Sequence, residues 1–148
     1  MSETRSEDAS LERQALLECA QQWATSLELT GLHPESNRAP KGRSAELLLR
    51  GSPGHVLRVQ ACDTTVHRAA MNLTHLDEGD VSEALLEDML GEIANTVGGN
   101  LYPVLSGATG LGLPEREVLG GLELARVCLG DGKGGGVWLQ LRRLDRPA

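Results

Sequence analysis

Phenylalanine is absent from this 148-residue chain, and only three aromatic residues occur, Trp23, Tyr102 and Trp138. Proteins that hold single-stranded nucleic acid stack bases on aromatic side chains, and this chain has almost none to offer. Positive charge is also scarce. Lys and Arg number 14 against 21 Asp and Glu, a formal net charge of −7. Phosphate backbones and anionic membrane faces both select basic surfaces, so nucleic-acid and membrane partners are excluded at this level. Cys19, Cys62 and Cys128 are odd in number and far apart, which fits neither a disulfide framework nor a zinc knuckle. No apolar run approaches the length that spans a bilayer, and residues 1–10 lack the apolar stretch of a signal peptide. The length suits one domain, expected to be cytoplasmic, with a core of Leu, Val and Ala.

What is present is a pattern of alternating periods. Residues 1–9 are polar and charged and read as a disordered tail, with a single domain over residues 10–144. Leu16, Ala20, Trp23 and Leu27 recur at helical spacing between Ser10 and Leu29, which predicts an amphipathic helix. Gly31 and Pro34 end it, and residues 33–44 read as a mobile connection. Strands are expected over Ala45–Arg50 and His55–Cys62, around the turn Gly51-Ser52-Pro53-Gly54, and a third over Thr65–Leu73. Leu122–Leu129 and Val137–Leu141 flank the glycine-rich run 131–136 and read as a hairpin with a flexible tip. A second helix runs from a capping-box-like pair, Asp80 and Glu83, to at least Val97. Helix, strands, helix, strands predicts an α/β protein of the α+β type: an antiparallel sheet with two long helices packed on one face.

Wound at about 100° per residue, the second helix gathers Leu86, Met89, Leu90, Ile93 and Val97 into one buried stripe. Asp88, Glu92 and Asn95 fall on the opposite side within about 60° of each other. Ala84, Gly91 and Gly99 lie beside them, which leaves a low, bare ridge. Glycine lowers helix stability by about 1 kcal/mol relative to alanine, so Gly91, Gly98 and Gly99 call for a reason. On periodicity alone the polar face is an ordinary solvated surface.

The run Asp88-Met89-Leu90-Gly91-Glu92-Ile93-Ala94-Asn95 resembles the acidic-or-serine, three residues, Glu, two residues, Asn motif of the CheC/CheX chemotaxis phosphatases. Thr96-Val97-Gly98-Gly99-Asn100 is similar to that family's extension of the motif, and Leu111-Gly112-Leu113-Pro114 to its following Leu-Pro segment. The resemblance implies docking of this helix face on a phosphorylated CheY-like receiver, with hydrolysis of the receiver's aspartyl phosphate. It implies that Asn95 holds the attacking water, that Glu92 pairs with the receiver's lysine, and that Asp88, Gly91 and Gly99 belong to the docking surface. Mg²⁺ would be carried by the receiver, so no cofactor of the chain's own is expected. A homodimer, paired through sheet edges, is implied as well. CheC-type members carry the motif on two helices, whereas the first helix here has no Glu-x-x-Asn, so the resemblance is to a single-site, CheX-like member. Pro103 falls where the family helix continues and predicts a kink or an end near Asn100–Pro103.

Other motifs carry less. Gly130-x-Gly132-x-x-Gly135 matches a dinucleotide fingerprint in spacing, but a strand follows it where a helix N-terminus would have to hold the pyrophosphate. His67 and His75 are isolated. Asp77, Glu78 and Asp80 precede a helix, where negative charge complements the dipole. Two rivals stand beside the phosphatase: a module of the same fold that binds a phosphorylated receiver or another partner without hydrolysis, and a dimeric scaffold whose polar face is merely solvated.

Overall fold

Helix and antiparallel strand alternate in two matching series. The computed structural model describes residues 2–35, 42–105, 107–113 and 118–146, with side chains from Leu11 onward. The first series is α1 (Ser2–Ser26), the short strand β1 (His33–Pro34) and the hairpin of β2 (Arg43–Gly51) and β3 (His55–Ala61). Helix α2 (Asp63–Thr74) and a 3₁₀ turn (Glu78–Asp80) lead to the second series. That series is α3 (Glu83–Leu101), a 3₁₀ turn (Tyr102–Val104), the short strand β4 (Ala108–Gly112) and the hairpin of β5 (Leu122–Gly130) and β6 (Gly136–Arg143).

The strands form one sheet in the order β1-β5-β6-β3-β2-β4, antiparallel at every pairing. This order is symmetric. Each series contributes an edge strand, a second strand and a central strand, and β3 meets β6 in the middle. Arg58 lies opposite Gln140, and the flanking pairs Leu57–Leu141 and Val59–Leu139 exchange under a half-turn about that point. The two halves thus share one topology about a two-fold axis.

Alternation within the strands decides what each face does. Leu47, Leu57, Val59, Val127, Leu139 and Leu141 point to the helical side and join a single core with the helix stripes. Fully burying an aliphatic side chain of this kind contributes about 1.5–3 kcal/mol. Helix α1 packs on β5, α3 packs on β2 and β3, and α1 and α2 both pack on α3. On the opposite side, Glu46 and Arg142 form an ion pair at 3.0 Å with side chains only 10% and 13% exposed. Arg142 also donates to the carbonyls of Val118 and Gly120, and Glu46 accepts from the Val118 amide, so this pair ties a connecting segment across the sheet.

Several expectations are corrected. Residues 65–73 are not a strand but most of α2, because Val66, Ala69 and Ala70 are buried at helical intervals and the Asp63 carboxylate sits in the helix's first turn. The fold therefore has a third helix beside the two expected long ones. Helix α1 starts at Ser2, not Ser10, so residues 2–9, read as a disordered tail, extend it; Met1 lies outside the described residues. Of the expected connection 33–44, His33–Pro34 pair with β5 and Arg43 opens β2, while 36–41 lie outside the described residues. The 131–136 tip, expected to be flexible, is ordered by hydrogen bonds: Asp131 Oδ1 accepts from the amides of Lys133 and Gly135, and Glu35 Oε1 from that of Gly132. The two amides that Asp131 accepts hold its carboxyl below the usual aspartate range.

Candidate functional site

The face that carries Glu92 and Asn95 depends on where α3 begins, how it sits on the sheet and where it ends. Its start is set by Ser82, whose hydroxyl accepts from the Leu85 amide at 3.1 Å. The expected capping pair is thus replaced. Asp80 belongs to the preceding 3₁₀ turn, and Glu83 turns outward to Arg43 of β2. Arg43 also meets Asp63 of α2 at 3.0 Å and Glu87 of α3 at 3.6 Å. Hydrogen bonds to Glu83 first and to Asp63 second hold the Arg43 guanidinium above its ordinary pKa. One arginine therefore pins the first two turns of α3 to the sheet and to α2.

The seat of the helix is made by glycine. All five stripe residues expected from periodicity, Leu86, Met89, Leu90, Ile93 and Val97, are buried, with Ala94, Gly98 and Leu101 beside them. A Cβ at Gly98 would enter the van der Waals shell of Leu47 Cδ2 and touch Leu57 Cδ2 at 3.7 Å. Gly98 therefore lets α3 lie close on β2 and β3. Gly91 is different: a Cβ there would meet nothing within 4 Å, so no packing demand inside the chain explains it. Gly99 borders β4, with Leu111 Cδ1 at 4.0 Å from its would-be Cβ.

Asp88, Glu92 and Asn95 are exposed, and α3 is uninterrupted through all three. They rise in succession on the side away from the buried stripe, with Gly91 and Gly99 half-buried alongside. The helix ends at Leu101, where Tyr102 and Pro103 tighten into a 3₁₀ turn. Pro103 thus acts beyond the segment that presents Asn95. Past this end the surface turns apolar: Val104 is 64% exposed and Leu113 is 74% exposed, a flank that periodicity within α3 gives no sign of. Pro114, the last residue of the Leu-Pro segment, lies outside the described residues.

The face is a ridge and is acidic. Glu87 is drawn to Arg43, and among the described residues neither Asp88 nor Glu92 forms an ion pair. A groove between α2 and the start of α3 is lined by His67, Arg68, Met71, Val81 and Glu83 among others; Asp88, Glu92 and Asn95 take no part in it. A convex polar ridge suits contact with another macromolecule, since small-molecule sites are concave. Among the described residues no group of three or more His, Cys, Asp or Glu could hold a metal ion, and no helix is long and apolar enough to cross a membrane.

No family model matches the chain, and no curated protein matches it. Solved structures do. The chemotaxis protein CheX from Vibrio vulnificus superposes with a TM-score of 0.66 at 12% identity, over 90% of this chain and 96% of that one. CheX of Borrelia burgdorferi, solved in a complex with CheY, BeF₃ and Mg²⁺, gives 0.65 at 17% identity over 89% and 97%. A chemotactic CheC-like protein from Shewanella oneidensis gives 0.65 at 14% identity over 91% and 99%. Identity this low leaves the backbone as the shared property, and it is shared over nearly the whole of each chain. The protein has the fold of the CheX and CheC-like chemotaxis proteins.

Proposed function

We propose that this chain accelerates hydrolysis of the aspartyl phosphate on a CheY-like receiver. The observation that carries the reading is the exposure of Glu92 and Asn95 together on an unbroken α3, in a chain whose fold is that of CheX. An acyl phosphate is already labile, and phosphoryl transfer responds to positioning and charge neutralisation more than to covalent help. The Asn95 carboxamide offers a donor and an acceptor and stays neutral beside phosphate. It orients a water in line with the P–O bond. The water oxygen bonds to phosphorus, the bond to the aspartyl oxygen breaks with its electron pair, and the water's proton leaves on the inorganic phosphate formed. Glu92 pairs with a receiver lysine and so fixes the register of Asn95. Asp88, Gly91 and Gly99 complete the contact, the glycines allowing close approach of the two backbones. Mg²⁺ on the receiver neutralises phosphate charge. Because both the ridge and the phosphate are negative, recognition is local and does not draw on long-range steering. The same reading includes a homodimer paired through sheet edges, which sedimentation at equilibrium measures.

The test follows phosphate loss from CheY-like receivers of the same cell, each phosphorylated with a small-molecule donor. Acceleration is expected from the wild-type chain, reduced on the order of 100-fold in Asn95→Ala, since misplacing a reacting group by about 1 Å has an effect of that size. No acceleration, or acceleration indifferent to Asn95→Ala, refutes catalysis. Binding without turnover would make the chain a recognition module.

A further inference from the structure

Leu113 follows the end of α3 in sequence, yet the strands bring it back along the helix. Helix α3 runs roughly parallel to β2: Arg43, at the start of β2, holds Glu83 and Glu87, and Leu47, further along the strand, packs under Gly98. Strand β4 is antiparallel to β2, with Leu111 opposite Leu49, and so runs antiparallel to α3 as well. Leu111 points to the helical side, where it packs on the core and its Cδ1 lies 4.0 Å from a Cβ at Gly99. Carried one residue past Gly112, the extended path advances about 6.6 Å beyond Leu111 and returns Leu113 to the same side. Asn95 lies about 6 Å back along α3 from Gly99, and within about 40° of it around the helix. Leu113 therefore stands level with Asn95, on the β4 flank of the ridge, and it is 74% exposed.

We infer that Leu113 is the apolar anchor of the docking surface, burying against an apolar side chain beside the phosphorylated aspartate of a CheY-like receiver. The inference rests on the reading of α3 above and adds to it the residue that sets affinity. A receiver that brings its aspartyl phosphate within hydrogen-bond reach of Asn95 lies over what stands level with Asn95, and so over Leu113. The ridge needs such an anchor. An exposed ion pair between Glu92 and a lysine adds little by itself, and Asp88 and Glu92 carry the same sign as the phosphate. Apolar burial is the dominant favourable term in most protein association. The ridge offers none, because Gly91 and Gly99 have no side chain to bury. The roles then divide. Leu113 holds the receiver equally well in ground and transition states, which lowers KM, and kcat is left to Asn95.

The test compares Leu113→Ser with the wild type, both as the full chain. Kd is measured on a CheY-like receiver held in its phosphorylated form by beryllofluoride and Mg²⁺, and KM and kcat on the phosphorylated receiver itself. Kd and KM are expected to rise on the order of 10-fold or more, with kcat unchanged and the thermal midpoint equal to that of the wild type. Leu113→Met is expected to keep wild-type affinity, since it conserves apolar volume. Unchanged Kd and KM in Leu113→Ser, with turnover still lost in Asn95→Ala, overturns the anchor and leaves the α3 reading intact. Leu119 is 76% exposed on the segment that Arg142 ties across the other face of the sheet; an equal loss in Leu119→Ser overturns the anchor too, because affinity would then be general stickiness. So does a dimer that dissociates in Leu113→Ser while receiver affinity holds, which would put a second copy over the leucine. No binding and no turnover in the wild type overturns both readings.

Discussion

Two glycines of α3, seven residues apart, separate helix propensity from packing. Alanine at either position gains the same intrinsic term, about 1 kcal/mol in a helix interior. At Gly91 nothing opposes it, since a Cβ there has no neighbour within 4 Å. Gly91→Ala is expected to stabilise the protein by up to about 1 kcal/mol, raising its thermal midpoint by about 2–4 °C for a chain of this size. At Gly98 the added carbon enters the space of Leu47, which is 1% exposed, and touches Leu57, which is fully buried. Leu47 can turn away only into a close-packed core, and overpacking of this sort costs about 1–3 kcal/mol. Propensity cancels between the two variants, so their difference isolates the packing cost: Gly98→Ala lies about 1–3 kcal/mol below Gly91→Ala. Urea unfolding of wild type and both variants, with equal slopes required, measures it. Equal stabilisation by both substitutions would refute the close seat of α3 on β2. The pair also tests the proposed function, because a stabilised Gly91→Ala that binds a CheY-like receiver less well than the wild type would support a docking role for this position.

Further perturbations follow from the same contacts. Arg142→Ala strands Glu46, whose side chain is only 10% exposed, and releases the carbonyls of Val118 and Gly120; a loss of about 3 kcal/mol is expected, recovered in good part by Glu46→Leu with Arg142→Leu, and denaturant titration checks both. His55 is 3% exposed with an unpartnered Nδ1, and burial, then the Arg143 charge, hold its pKa below the ordinary 6.5. A depressed folded pKa means that the unfolded chain binds the proton more tightly, so this contribution to stability is present above pH 6.5 and fades as pH falls from there toward the folded pKa. His55→Leu is expected to flatten that part of the stability–pH curve; an unchanged slope would place the titration elsewhere.

The long helix stripes and the four hairpin strands were legible because burial on one face imposes a period that sequence carries openly. Leu86, Met89, Leu90, Ile93 and Val97 are buried as their spacing requires, and β3 alternates as Leu57, Val59 and Ala61 predict. The polar face of α3 was legible for the same reason in reverse. Helix α2 was misread because Thr65 and Val66 are β-branched, and strand propensity reflects packing surroundings more than the residue itself. The edge strands escaped because two residues, or a run such as Ala108-Thr109-Gly110-Leu111-Gly112, carry no readable alternation. The Ser82 cap was missed because a capping box needs Glu or Gln three residues on, and Leu85 stands there; the hydroxyl caps alone.

The two-fold arrangement sets the order in which the protein can be made. Helix α1 packs on β5 and on α3, and α3 packs on β2 and β3, so each long helix rests chiefly on strands from the other half of the chain. As the chain leaves the ribosome, the α1 stripe waits first for α3 and then for β5 before it is fully covered. Contacts between such distant segments require loop closure before they stabilise anything, which slows folding. Two halves of like topology are therefore made unequal by synthesis: α1 must wait for the second half, whereas α3 finds β2 and β3 already made.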